Sequence, residues 1–360
     1  MIYLDYSATT KADEKVIKKF AETEQKYFAN PNSNHFLGKE CKSVIDESVS
    51  NICSCLGIKE NEIIFTSGAS ESNNTVLKGL NVSHIITTKL EHSSITTPVG
   101  YLQTKGIKID FVSLDENGLV DIDNLISLID SEPTLVSIGT VNSETGIKQD
   151  IEKIGKLLKK YPNVYFHSDI TQALGKVSVD LTDIDLASFS MHKIFGFRGI
   201  GGLIKKENIR IVPLIHGGKS TTIYRSGTPQ TGLIVSSSVA IQEAVKNIDE
   251  NYEKVLELNN YLRENIKDLV MINSNEHSIP HILNFSIPGK NSEDTLKYFS
   301  DNGILISSKT ACSSGSYSFV VNELYHDMDR AESSNRVSIS YKTTKEELDQ
   351  FIKLLKEWVK

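Results

Sequence analysis

A single lysine, Lys193, is the residue best placed for covalent chemistry. It closes the run Ser190-Met191-His192-Lys193, between a short apolar segment at 186–189 and a glycine-rich stretch at 196–202. That order presents one amine at a strand end, where a ligand can reach it. A lysine so placed can form an imine with an aldehyde cofactor, provided its neighbours hold the cofactor and keep the amine partly deprotonated. The same run also suits a solvated lysine beside a turn. The company it keeps elsewhere in the chain separates the two readings.

Four other places carry polar residues that such chemistry needs. Residues 62–66 (EIIFT) form a strand pattern that runs into Ser67-Gly68-Ala69-Ser70 and then a helical stretch to residue 80. A helix N-terminus after a small-residue turn suits a phosphate, with Ser70 adding a hydroxyl, and it equally suits an ordinary helix cap. His92 follows the segment 84–91, and Asp169 and Gln172 follow 164–168, while Asn142 and Ser143 follow 134–141. Taken singly, His92 and Asp169 read as caps and Gln172 as a solvated side chain. Taken together they form the set a pyridine aldehyde requires: a carboxylate to keep the ring nitrogen protonated and a flat imidazole to stack on the ring face.

These residues must be brought to one place by the elements that carry them. From residue 62 the chain alternates short apolar strands with helical periods, and this predicts a largely parallel sheet covered by helices, with ligands at the carboxyl ends of its strands. All the residues above fall at such ends. Upstream, 1–10 reads as extended, 14–28 and 38–56 as helices, and 30–35 as a loop. The helix at 38–56 makes Cys53 a core thiol, with Cys41 and Cys55 read the same way. Beyond residue 250, a helix at 252–269, strands at 281–287 and 304–308 and a closing helix at 345–359 predict a smaller α+β unit.

Composition narrows the function classes. At 360 residues with 39% hydrophobic content, the chain can bury a substantial core. A net charge of -7 with no long basic run argues against direct nucleic-acid binding. No segment approaches the ~20 apolar residues of a membrane span, and the N-terminus lacks the layout of a secretion signal, so the cytoplasm is the expected location. Four cysteines, at 41, 53, 55 and 312, show neither a metal-ligand spacing nor a disulfide framework, which suits a reducing compartment; Cys312 stands apart.

From YLDYSATT near the start, through NPNSNH, FTSGASESNN, EHSSI, HSDITQALGK, SFSMHK and YRSGT, to SSNRVSIS near the end, the chain resembles the cysteine desulfurases. These are pyridoxal-phosphate enzymes of aminotransferase-like fold type I. The resemblance implies an α/β fold with a large domain at 13–250, and a small domain at 1–12 and 251–360 that carries the cysteine loop. It implies that Lys193 is the imine lysine and general base, that Asp169 faces the ring nitrogen, that Gln172 lies near the ring hydroxyl, and that His92 stacks on the ring and shuttles a proton. Ala69, Ser70, Ser190 and His192 would hold the phosphate, and Thr228 would reach the phosphate of the other subunit in a homodimer. Arg336 would grip the carboxylate of L-cysteine, a task its two-pronged donor suits. Cys312, on a loop rich in Ser and Gly, would take the sulfur as a persulfide and pass it to an acceptor protein, an iron-sulfur scaffold or a tRNA-thiolation relay.

Three departures from the family pattern bear on this. Ser143 stands where the family has a second asparagine, residues 216–222 (HGGKSTT) replace a segment with a Gln-Glu or His-Glu pair, and the cysteine loop reads Ser308-Lys309-Thr310-Ala311-Cys312. Two alternatives share the motifs: a selenocysteine lyase, and a family member that serves as a scaffold without turnover.

Overall fold

The computed structural model of the chain describes residues 1–59, 62–308 and 317–360. In chain order its first part contains β1 (Ile2–Tyr3), α1 (Glu14–Lys26), α2 (Phe36–Leu56), β2 (Ile63–Thr66), α3 (Ala69–Gly79), β3 (His84–Thr87), α4 (Ser93–Gln103), β4 (Lys108–Phe111), α5 (Ile122–Leu128), β5 (Thr134–Ser137), α6 (Ile151–Leu158), β6 (Val164–Asp169) and β7 (Leu186–Ser190). After a 3-10 turn at Met191–Lys193 come β8 (Gly201–Lys205), α7 (Thr231–Lys246), α8 (Ile248–Ile266), β9 (Met271–Ile272), β10 (Ile282–Ser286), α9 (Ser292–Asp301), β11 (Ile304–Leu305), α10 (Phe319–Tyr325), α11 (Met328–Glu332), β12 (Ser334–Ser338) and α12 (Lys345–Trp358).

Seven strands form the main sheet in the order β2-β8-β7-β6-β5-β3-β4. The pairs from β4 through β7 are parallel, and β8 runs antiparallel to both β2 and β7. Strands β2, β3, β5, β7 and β8 are buried at every residue, as a sheet covered on both faces requires. The parallel strands send their carboxyl ends to one side, and Asp169 and Ser190 close β6 and β7 there.

Strand β8 is an element the sequence reading takes for part of a glycine-rich turn. Its two glycines have a steric cause. A Cβ on Gly201 would stand 2.7 Å from the Gly68 Cα, and one on Gly202 would stand 2.4 Å from the Phe189 ring. The glycines therefore let the turn before α3 lie directly on β8, beside the end of β7.

A second core gathers Ile2 and Leu4 with Val255, Leu283, Phe285, Phe299, Val337 and Phe351. Here β10 is the centre of an antiparallel sheet with β12 and β9, and β1 pairs in parallel with β11. Of the extended stretch expected at 1–10, only Ile2–Tyr3 is a strand; Tyr6, Ser7 and Ala8 turn, and Asp5 bridges to Ser338 of β12. The N-terminal residues thus tie β12 to the main sheet, since Thr10 N donates to His192 O at 2.8 Å. Helix α12 starts with a full capping box, Thr344 with Glu347, a device worth about 1 kcal/mol.

Candidate active site

At the carboxyl ends of the parallel strands lies a cavity of about 250 Å³. Its walls include Lys193, His92, Asp169, Gln172, Ser190, His192, Ala69, Ser70 and Arg336. The sequence-predicted set therefore converges, apart from two members. Thr228 lines a separate small cavity with Ser67, Ser220 and Arg225, and Cys312, with Lys309, lies outside the described residues.

Lys193 reaches the cavity because the 3-10 turn after β7 carries it past the sheet. Its Nζ donates to Ser7 O at 2.5 Å and to Ala8 O at 2.7 Å, so the turned N-terminal segment supplies two carbonyls that suit an ammonium. Two residues on, Phe195 holds φ 61, a conformation a bulky side chain rarely adopts. Its N–H donates to Thr10 Oγ1 at 2.7 Å and its ring packs edge-on against Tyr341, contacts that hold the backbone there.

Strand ends and helix starts are stitched together around the cavity. Asp169 Oδ1 accepts from Thr171 N at 2.9 Å and Oδ2 from Asn73 Nδ2 at 2.8 Å; Asn73 Nδ2 also donates to Ser94 Oγ, 2.9 Å from His92 Nδ1. One chain of hydrogen bonds thus links the carboxylate to the imidazole. His92 does cap α4, its Nδ1 accepting from Ser94 N at 3.1 Å. A backbone N–H only donates, so the proton of the neutral ring sits on Nε2. Burial pulls the His92 pKa below the usual imidazole range. Beneath Asp169, His167 joins Ser137 and Ser188 at 2.9 Å each, and burial lowers its pKa to about 4.

The alternative of an ordinary cap at α3 is not realised. Gly68, at φ 151, precedes the helix without a side-chain cap, and Ala69 N donates to Ser190 Oγ at 2.7 Å across from β7. His192 Nδ1 lies 3.1 Å from Thr9 Oγ1, and burial, reinforced by Lys193, takes its pKa down to about 4. It is neutral at pH 7.

Arg336 of β12 is 1% exposed, and its Nη1 and Nη2 donate at 2.7 Å to Ser143 O and to Asp5 Oδ1. Among the described residues its Nε is buried without a partner. Ser143 thus contributes its backbone carbonyl, while Asn142 Oδ1 is taken up by the turn at Glu144 and Thr145.

Sequence reasoning missed Asp5, Asn73 and Glu91. Glu91 lines the cavity, accepts from Gly139 N and Thr88 Oγ1, and burial raises its pKa to about 7. The signal for Glu91 was its place beside His92, at the strand end already singled out. Of the other thiols, Cys41 and Cys53 are buried as expected. Cys55 is only half-buried, at the end of α2, and burial still raises its thiol pKa.

The chain matches the family model for aminotransferase class-V over residues 2–351. It is 34% identical over 368 residues to the cysteine desulfurase IscS of Dictyoglomus turgidum, covering 98% of this chain and 93% of that one. It is 38% identical over 370 residues to the cysteine desulfurase IscS of Buchnera aphidicola subsp. Schizaphis graminum, covering 98% and 91%. Among solved structures, a NifS-like protein superposes with a TM-score of 0.94 at 31% identity over 99% of each chain. SspA in complex with cysteine superposes at 0.83 with 29% identity, covering 96% of this chain and 100% of that one. The chain belongs to the class-V aminotransferase family, with fold type I architecture. Within it, the chain is a pyridoxal-phosphate-dependent cysteine desulfurase.

The cavity fits that cofactor. A primary amine and a carboxylate stand in its walls, Ala69 and Ser70 at the N-terminus of α3 line it, and Thr171 Oγ1 is a buried cavity-lining hydroxyl without a partner among the described residues. No described helix is long and apolar enough to cross a membrane.

Proposed function

We propose that L-cysteine is desulfurated in this cavity by Lys193, His92 and Cys312, and that the observation carrying this reading is the convergence of Lys193, Asp169, His92 and Arg336 on one space. Pyridoxal phosphate, when bound, supplies an aldehyde that holds the substrate amine and a ring that accepts electrons. Lys193 would bind it covalently, with Asp169 at the ring nitrogen, Gln172 at the ring hydroxyl, and His92 on the ring face. Ala69, Ser70, Ser190 and His192 would hold its phosphate. His192, being neutral, does so through a hydrogen bond and not through charge.

Arg336, which lines the cavity, would orient the substrate by its carboxylate, with N–H donors beyond the two that bind Ser143 O and Asp5 Oδ1. Lys193 Nζ takes the α-proton, and His92 holds a second exchangeable proton on Nε2. The Cys312 thiolate attacks the substrate sulfur. The C–S bond breaks, its electron pair stays with the carbon skeleton, and two protons complete alanine. The sulfur remains on Cys312 as a persulfide, so the conversion is redox-neutral.

The persulfide then passes to an acceptor protein, of which an iron-sulfur scaffold or a tRNA-thiolation relay would be a chemically suitable kind. A homodimer is supported by exposed apolar side chains close to the Thr228 segment: Phe28 is 72% exposed, Phe36 71% and Ile223 67%, and Asn32 Nδ2 donates to Lys219 O. There Thr228 would reach the partner's phosphate. The thiol chemistry favours a reducing, cytoplasmic setting.

Equimolar alanine and sulfane sulfur from L-cysteine, released faster than alanine from L-selenocysteine, is the expected outcome with reconstituted enzyme. A clear preference for selenocysteine would favour the lyase, and bound cofactor without alanine release would favour a scaffold. A second expectation concerns Arg336→Lys, which keeps the charge but loses the fork. The KM for cysteine should rise roughly 10–100-fold with cofactor affinity little changed, as loss of one or two hydrogen bonds to a charged group implies. Steady-state kinetics and cofactor titration check it, and loss of cofactor affinity with an unchanged KM would make Arg336 structural.

A further inference from the structure

Lys176 sits in the turn after β6, four residues beyond Gln172, and is 8% exposed. Buried lysines are ordinarily paired with carboxylates, because an ammonium loses much of its hydration on burial. Among the described residues Lys176 has no such partner. Burial, reinforced by the cationic Lys193 and Arg336, brings its pKa down to about 7. What its Nζ does meet is Gln172 Oε1, at 2.5 Å.

The other end of that amide is also fixed. Gln172 Nε2 donates to Ser7 O at 3.0 Å, the same carbonyl that accepts from Lys193. A carbonyl only accepts, so Nε2 must face Ser7, and Oε1 must face Lys176. Because Gln172 lines the cavity, the second N–H of Nε2 is left for whatever occupies it. Without Lys176, Oε1 would be a buried acceptor with no donor, and the amide would turn or shift to find one.

We infer that Lys176 is a positioning residue for the cofactor: it locks the Gln172 amide with an N–H directed at the ring hydroxyl of pyridoxal phosphate. The inference rests on the reading of Gln172 proposed above. A donor aimed at the ring oxygen favours its charged form, so the pH midpoint of the bound cofactor's visible absorption band reads the contact directly.

The experiment records that midpoint for the reconstituted wild type, Gln172→Ala, Lys176→Met, Lys176→Gln and the Gln172→Ala/Lys176→Met double variant. Glutamine at 176 is too short to reach Oε1 and serves if the Met variant does not fold. Each single variant should raise the midpoint by roughly one pH unit. The double variant should move it no further than Gln172→Ala alone, because both changes remove one contact. Lys176 variants at the wild-type midpoint, while Gln172→Ala shifts, would overturn the inference and leave the reading of Gln172 standing. Additive shifts in the double variant would also overturn it, since Lys176 would then act through its charge alone. An unmoved Gln172→Ala midpoint would overturn the reading of Gln172 and the inference with it.

Discussion

Lys193→Ala should lower alanine production by at least about three orders of magnitude while the protein stays folded. Among the contacts of Nζ are two backbone carbonyls at the cavity edge, Ser7 O and Ala8 O, so the substitution acts at the cavity wall. The other lysine that contacts a cavity residue from within the fold, Lys176, is held against Gln172 and does not line the main cavity. It should not substitute. Borohydride reduction of the loaded wild type followed by peptide mapping should put the pyridoxyl label on Lys193. A label on another lysine, or wild-type rates in the variant, would remove Lys193 from the chemistry.

Cys312→Ser should abolish sulfur release while leaving cofactor content and cysteine binding intact. A serine hydroxyl does not ionise near neutral pH and does not accept sulfur, whereas the binding groups lie on β6, β7, β12 and the helix starts. The described thiols offer no substitute. Cys41 and Cys53 are buried in α2, and Cys55 shares that helix with its pKa pushed up by burial; none lines the cavity. Spectral titration with cysteine, next to an alanine assay, separates binding from turnover. Normal alanine production by the variant would require another sulfur acceptor.

Much of the site was legible because parallel sheets write their function at strand ends. The apolar runs 164–168 and 186–189 stop one residue short of the ends of β6 and β7, and Asp169, Gln172 and Lys193 follow from where those runs stop. What stayed hidden depends on contacts between distant parts of the chain. The Asp5–Arg336 pair joins residues 331 apart, and the clamp of Ser7 O on Gln172 spans 165. No local period signals either. Asp5 in particular sat in a segment expected to be extended, and the turn at Tyr6–Ala8 exists to aim carbonyls at Lys193.

Two further elements were opaque for packing reasons. β8 reads as a turn because its glycines answer to Gly68 and Phe189, not to strand propensity. Helix α7 went unread because it is enclosed: Ser236, Ser237 and Ser238 are buried along with Ile234, Val235 and Ile241, and it packs on both α1 and α2. A helix buried around most of its circumference has no polar stripe for a period to reveal.

The proposal that this chain moves sulfur from cysteine onto one thiol is tested most directly by incubating the reconstituted wild type with a single equivalent of L-cysteine, blocking thiols, and mapping persulfides by mass spectrometry. Sulfane sulfur on the Cys312 peptide, matched by an equivalent of alanine, is the predicted result. Alanine formation with the extra sulfur on Cys41, Cys53 or Cys55 and none on Cys312 would contradict it.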